Sequence, residues 1–557
     1  MSNQGFKAIP SRERGLSNSS LLSGRTLFSR THHDASVSRS SALSENTSSI
    51  LNGYAVKPSP LTILLTFLAS ISGFMFGYDT GYISSVLVSI GADLGGDGLS
   101  LTNREYITSA TSCGALFGAI VAGTLADAWG RKPAIMGCNL LFIAGASMQC
   151  VAKTVHFMIA GRLVMGIGVG IGSLIAPLYL SELAPSKFRG RMVIINCLAI
   201  TGGQLIAYAL GALFSYLHIT WRFLVGFSLI PSMVQLVAFL FLPDTPRYLI
   251  MVGKTNQAAE VLRKIYLDAP NDLIAANIAE LSSFNSDLDL ENESRLHKIW
   301  SKIKEIHTVP SNLRALIIAC GLQGIQQLTG FNALMYFSGT IFEMIGFQNS
   351  IGVSCIVAGT NFVFTIVAFL VIDRVGRRRI MLWTVPGMLV SLLVCAWTFS
   401  HLDFNTDESV SVTASRAVWN LLTVVGMMSF VAFYASGLGN VPWQQSELFP
   451  QSVRGLGTSY ATATNWSGSL ILSMTFLTMM EKLTPSGTFI FFAFVTLASV
   501  VFIYYCYPEL SGLELEETQD LLTGGFNVKK SVQMAGERKD MATKLASFQD
   551  NVTLDVV

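Results

Sequence analysis

From Pro177 to Gly190 the chain reads PLYLSELAPSKFRG, and from Pro442 to Gly455 it reads PWQQSELFPQSVRG. Pro, Ser-Glu, a second Pro and Arg-Gly keep the same spacing in both stretches. A second pair of phrases repeats in the same order. Asp127-Ala-Trp-Gly-Arg131-Lys132 is echoed by Asp373-Arg-Val-Gly-Arg377-Arg378, and in each half this run precedes the Ser-Glu phrase. Self-similarity over such distances marks two copies of one large unit, not a short solenoid repeat. The motifs lie at the ends of long apolar stretches, so the copied unit is a bundle of membrane-crossing helices. Many secondary transporters are built from paired halves of this kind.

Composition agrees. The 557 residues are 51% apolar and 13% charged, with a mean hydropathy of +0.50. A soluble globular protein averages roughly 25% charged residues. A net charge of +2 with no basic block gives no nucleic-acid footprint. The eight cysteines all fall in apolar segments without CxxC or Cys/His spacing, so they read as packing residues rather than a disulfide framework or zinc site. No Ser/His/Asp set, phosphate-binding loop or metal cluster appears, and an enzyme, a metal and a cofactor are not expected.

Twelve spans are expected, at about 61–88, 106–127, 133–152, 156–181, 191–217, 221–242, 313–342, 349–372, 380–399, 417–445, 455–480 and 486–507. The fold class is an all-α membrane protein of two pseudo-symmetric six-helix bundles. The chain divides at about 1–57 (disordered tail), 58–242 (first bundle), 243–312 (central loop), 313–507 (second bundle) and 508–557 (C-terminal tail). Within the loop, Asn256–Tyr266 and Asp272–Ser282 have helical spacing. Lys and Arg concentrate in the loops after spans two, four, eight and ten, which places both tails and the central loop in the cytoplasm. The tail shows no cleavable leader, so the first span is expected to direct insertion. On this topology the Asn-x-Ser/Thr sequons at Asn18, Asn46, Asn292, Asn465 and Asn551 carry no glycan.

The repeated phrases carry acids as well as bases, and orientation alone needs only Lys and Arg. Asp127, Arg131, Glu182 and Arg189 therefore read, with Asp373, Arg377, Glu447 and Arg454, as a cytoplasmic gate whose ion pairs form when the inner surfaces meet. Ordinary flanking charge is the plainer alternative.

Gly123-x-x-x-Asp127-x-x-Gly130-Arg131-Lys132 resembles the signature of the major facilitator superfamily. Pro243-Asp-Thr-Pro-Arg247 after span six is similar to the Pro-Glu-Ser-Pro-Arg signature of its sugar porter branch, with Asp244 and Thr245 as departures. Gln326-Gln327-Leu-Thr-Gly330-Phe-Asn332 and Pro508-Glu-Leu-Ser-Gly512 point the same way. Gly77-Tyr-Asp-Thr-Gly-Tyr-Ile-Ser-Ser85 and Gly123-Thr-Leu-Ala-Asp127 look especially like fungal myo-inositol transporters.

A polyol presents hydroxyls that donate and accept, and uncharged carboxamides answer both. Gln204, Gln326, Gln327, Asn332 and Asn465 lie within apolar spans, where such groups are costly against lipid. Amides also serve as glue between helices. Gln326 and Gln327, being adjacent, are expected to point apart, with Asn332 sharing a face with one of them. The resemblance implies sugar contacts at these five and adds Phe76, Tyr336, Gly439 and Trp443. Asp79 lies mid-span in FMFGYDTGYISS and Arg162 early in span four, in AGRLVMGIGVGIG. An acid at that depth reads as functional, with Arg162 as its partner; a permanent structural pair is the alternative. The proton-coupled relatives implied by the resemblance carry an acid and an arginine at these places. Gly166, Gly168, Gly170 and Gly172 in the same span permit close helix packing.

The expectation is thus a proton-coupled polyol carrier, for myo-inositol, in the plasma membrane. It would work as a monomer with the proton as coupling ion. A hexose–proton symporter shares every motif; a passive facilitator and a transporter-like nutrient sensor are further alternatives.

Overall fold

The computed structural model describes residues 58–95, 98–267, 269–289, 295–402, 414–440, 448–450, 452–510 and 515–538. Most of the N-terminal tail, the end of the C-terminal tail, Trp443 and Glu447 lie outside these residues, as do the side chains of Arg189 and Asp373.

The first lobe holds α1 (Pro60–Ser89), α2 (Leu101–Trp129), α3 (Arg131–Cys150), α4 (Val155–Leu183), α5 (Ser186–Tyr216) and the pair α6 (Trp221–Gly226) and α7 (Leu229–Phe241). A connecting group follows: α8 (Pro246–Met251), α9 (Thr255–Ile265), α10 (Asn271–Asp289) and α11 (Arg295–Thr308). The second lobe holds the pair α12 (Pro310–Leu328) and α13 (Phe331–Ile345), then α14 (Ser350–Val375), α15 (Arg377–Ser400), α16 (Ala414–Ser436), α17 (Arg454–Lys482) and α18 (Thr484–Cys506). A short helix, α19 (Leu515–Thr523), lies against α12. The sequence anticipates α9 and the first part of α10 but misses α11, whose polar background hides its period.

Local chemistry sets the helix starts. The Ser59 hydroxyl accepts from Thr62 N at 3.1 Å, with Pro60 supplying the first helical residue. Ser100, Thr154 and Asn349 cap α2, α4 and α14 in the same way. The span expected to run to 445 ends earlier, at Ser436, with a 3-10 turn at Leu438–Asn440.

Ten helices among the described residues are long and apolar enough to cross a membrane. The two further spans read from sequence appear as α12 with α13, and as α17. Both carry the carboxamides, and that polarity is what lowers their apolar character. The first of them is broken at Gly330, whose φ of +94° is left-handed.

At one end of the bundle, here the basic end, the lobes repeat one construction. Lys132 Nζ donates to Leu240 O at 3.0 Å and Leu242 O at 2.8 Å, at the close of α7. Arg378 donates to Tyr504 O at 2.8 Å and Tyr507 O at 2.7 Å, at the close of α18. Each cation thus satisfies carbonyls left over at a helix C-terminus. Asp244 accepts from Lys132 N at 3.3 Å, and Glu509 from Arg377 N and Arg378 N at 3.1 Å each. Each acid sits where the N–H groups of α3 or α15 point outward. The family-like phrases after spans six and twelve are these acids. Burial pushes the Asp244 carboxyl above its ordinary value, while the N–H bonds from Thr245 and Lys132 oppose that rise.

The lobes meet along two antiparallel helix pairs. Ser112 on α2 lies 3.0 Å from Ser469 on α17, and Asn361 on α14 donates to Gln204 on α5 at 2.8 Å. Within the first lobe the glycine run of α4 divides between two neighbours. A Cβ at Gly166 or Gly170 would stand 2.3 or 2.1 Å from Thr111 O or Ala115 O of α2. Gly168 and Gly172 face Cys138 of α3 instead.

Candidate functional site

Two polar clusters lie at mid-depth. The first belongs to one lobe. Arg162 Nη1 donates to Asp79 Oδ1 at 2.6 Å, and the two side chains are 1% and 4% exposed. The same Nη1 donates to the Tyr82 hydroxyl at 3.1 Å, and that hydroxyl donates to Gln149 Oε1 at 2.9 Å. Arg162 Nε reaches Ile107 O at 3.3 Å. Four helices therefore converge on the guanidinium: α1, α2, α3 through Tyr82, and α4. Taking both charges from water costs several kcal/mol per ion, and the geometry must return it. Tyr82 and Gln149 do part of this, and the sequence reading misses both. They looked like ordinary span residues, and only helix rotation aims them inward.

The second cluster is in the other lobe and centres on Asn465 of α17. Its Nδ2 donates to Gln323 Oε1 at 2.6 Å and to Gln326 Oε1 at 2.8 Å. Its Oδ1 accepts from Gln327 Nε2 at 3.1 Å, and Gln327 Oε1 accepts from Asn332 Nδ2 at 2.7 Å. Gln326 and Gln327, expected to point apart, both reach Asn465, which packs between them near the end of α12. Asn332 reaches Gln327 across the break at Gly330. Gln326 Nε2 donates to Leu438 O at 3.1 Å, which ties the cluster to the 3-10 turn beside Gly439. Gln323 is a further member that the sequence reading passes over, one turn before Gln327.

Gln204 stands apart from this group, in the pair with Asn361 at the α5–α14 junction. Asn361 is buried, 3% exposed, and is also missed from sequence. Phe76 on α1 meets Trp466 on α17 edge to face, with ring centroids 5.5 Å apart. That contact crosses between the lobes one turn from Asp79. Tyr336 is buried on α13, and Phe331 stacks on Tyr434 at 3.7 Å. Carboxamides backed by aromatic faces suit a solute that carries hydroxyls around a ring with apolar C–H surfaces.

The charges named for a gate gather within the first lobe where the structure describes them. Arg131 lies 3.0 Å from Glu182 and 3.4 Å from Asp127. Glu182 also accepts from the Thr245 hydroxyl at 2.6 Å. In the second lobe the Arg377 backbone is held by Glu509, and Arg454 Nε donates to Phe449 O at 3.4 Å. Among the described residues no cluster of His, Cys, Asp and Glu could hold a metal ion.

The sugar (and other) transporter family model matches residues 65–522. Myo-inositol transporter 1 of Saccharomyces cerevisiae is 54% identical over 515 residues, covering 92% of this chain and 88% of that protein. Myo-inositol transporter 1 of Candida albicans is 49% identical over 544 residues, 96% of each. Among solved structures, the proton:xylose symporter XylE bound to 6-bromo-6-deoxy-D-glucose superposes with a TM-score of 0.67 at 23% identity, covering 83% of this chain and 99% of that one. That likeness confirms the twelve-helix major facilitator fold.

Proposed function

This chain belongs to the sugar (and other) transporter family of membrane carriers, and on that footing we propose that it carries myo-inositol together with a proton into the cell across the plasma membrane. The relatives that are 54% and 49% identical, both myo-inositol transporters, support the cargo. The coupling rests on one observation: a carboxylate, Asp79, buried against Arg162 at mid-depth and one turn from the aromatic contact between the lobes.

The solute is held by exchange of hydrogen bonds. Asn465, Gln326, Gln327 and Asn332 satisfy one another in this structure, and ring hydroxyls offer the same donors and acceptors in their place. Phe76 and Trp466 supply apolar faces, and Tyr336 and Gln204 border the same path. Asp79 accepts the transported proton. Protonation removes the charge that holds Arg162, which is then left to the Tyr82 hydroxyl and the Ile107 carbonyl that it already bonds. The loosening of Arg162 from Asp79 is the local event that the rocking of the lobes follows. The basic end faces the cytoplasm, since Lys and Arg are held on that side. Arg131 with Asp127 and Glu182 braces the first lobe there, and Arg189, Asp373, Arg377, Glu447 and Arg454 complete the gate surface. A monomer contains every element of this cycle.

A proton crossing about 100 mV gains roughly 2.3 kcal/mol, and one pH unit adds about 1.4. Together they support an accumulation on the order of 500-fold. The test is uptake of labelled myo-inositol and of hexoses into transport-deficient cells at two external pH values. Faster accumulation at the lower pH, competed by unlabelled myo-inositol and not by glucose, is the expected result. Competition by glucose alone would assign the site to a hexose, and accumulation indifferent to pH would remove the proton.

A further inference from the structure

One buried carboxylate has no part in either cluster. Glu105 stands near the start of α2, its fifth residue, at the end of the bundle opposite the basic one, and is 2% exposed. One of its oxygens accepts from Thr478 N at 2.8 Å and the other from the Thr478 hydroxyl at 2.8 Å. Thr478 belongs to α17, in the other lobe. Arg104, the residue before Glu105, reaches a different helix of that lobe. Its Nη1 donates to Thr340 Oγ1 at 3.2 Å and lies 3.4 Å from Glu343 Oε2, both on α13. A single helical turn thus grips both segments that carry the amides across from it, since α13 holds Asn332 and α17 holds Asn465.

The repeat shows that this grip is an addition to the common frame. Counting back from Asp373 as one counts back from Asp127 to Arg104 and Glu105, the second copy has Ser350 and Ile351. Neither is charged. The ion-pair and capping construction of the basic end is duplicated, whereas the Arg-Glu turn exists once.

We propose that Arg104 and Glu105 form a latch that holds the lobes together at the end away from the basic one, and that release of Glu105 from Thr478 is the event that reopens the site toward that side. The carboxylate makes the latch breakable. Removing it from water is costly, and its two charge-assisted bonds to Thr478 roughly offset that cost. When the lobes part, Glu105 recovers its hydration, so open and closed arrangements stay close in free energy. An apolar residue there would favour closure without any return, and a small one would not hold it. Because both gripped helices carry site amides, breaking the latch also frees Asn332 and Asn465 to move apart.

The latch rests on alternating exposure of one site, but its test needs neither solute nor proton gradient, so the identity of the cargo does not affect it. A cysteine introduced as Val88→Cys reports on the junction, because the Val88 side chain lies against Gly339 of α13. Its reaction rate with a membrane-impermeant maleimide is measured in purified full-length protein, with the protein lacking this substitution as blank. Glu105→Gln keeps the shape and the bond from Thr478 N, and its Nε2 donates to a Thr478 hydroxyl turned to accept, while the cost of leaving water falls, so it tightens the latch and slows labelling at least twofold. Glu105→Ala removes the latch and speeds labelling at least fivefold. Should the alanine variant fail to fold, Thr478→Val takes its place with the same expected direction. A purely structural role predicts that both substitutions loosen the junction. Labelling that moves the same way in the two variants, or by less than twofold in either, overturns the proposal.

Discussion

Lys132 in the first lobe and Arg378 in the second occupy matching places in the repeat and close the same gap, each bonding the last carbonyls of its lobe's sixth span. Asp244 and Glu509 match as well, each accepting backbone N–H groups at the start of its lobe's third span. At mid-depth the likeness stops. The first lobe buries a charged pair, Asp79 with Arg162; the second buries uncharged amides around Asn465. The contrast follows from what each region must satisfy. Helix ends leave the same unpaired backbone groups in any copy, so a duplicated solution keeps serving both. Mid-depth helices satisfy their own backbone, and side chains there are free to specialise. On the function proposed above, one lobe holds the chargeable group and the other the hydrogen-bonding surface for solute, so coupling has to pass between lobes, through contacts such as Phe76 with Trp466.

Five substitutions test this division. Arg162→Ala leaves a buried carboxylate without its cation and should lower stability by about 3–5 kcal/mol, read from thermal unfolding in detergent. Adding Asp79→Asn should restore most of that loss; no restoration would mean that the arginine serves something other than the acid. Asp79→Asn alone should reduce accumulation from the order of several hundred-fold to about equality, while exchange of labelled solute across the membrane continues. Continued accumulation would place the coupling group elsewhere. Asn465→Ala removes the amide that joins three others, and should raise the KM for uptake about 10–100-fold, a loss of roughly 1.4–2.7 kcal/mol, with the pH dependence unchanged. A change in pH dependence would blur the separation between lobes. The smallest effect should come from the ends. Gly130→Ala and Gly376→Ala place a Cβ against Asp244 or Glu509 at left-handed φ values of +102° and +100°. Each should cost about 1–3 kcal/mol, and the two costs should be similar. Unequal costs would show that the two ends only look alike.

Much of this was legible in the sequence for definite reasons. The Ser-Glu phrases and the Asp-x-x-Gly-Arg runs are contiguous, so their repetition is visible without any folding. Most spans follow from apolar length alone, and the helix boundaries fall close to the expected ones. The acid at Asp79 stands out because charge at mid-span is rare, and its pairing with Arg162 is what the structure shows. Other features were hidden. Gln323, Asn361, Gln149, Tyr82 and Glu105 are polar residues with nothing in their neighbourhood to separate them from residues that face another helix. Gln204 carried the same signal as the other amides yet pairs with Asn361, away from Asn465.

The sequence by itself determined that there are two copies, where most of their spans lie, and that the first copy carries an acid at mid-span. These depend on order along the chain and on the water-or-lipid preference of each stretch. Only the tertiary structure decided which amides share Asn465, which glycines of α4 meet α2 and which meet α3, and that Glu105 closes on Thr478. Those outcomes turn on the rotation and offset of helices hundreds of residues apart, and such quantities are set by packing across the whole bundle, where no short stretch of sequence records them.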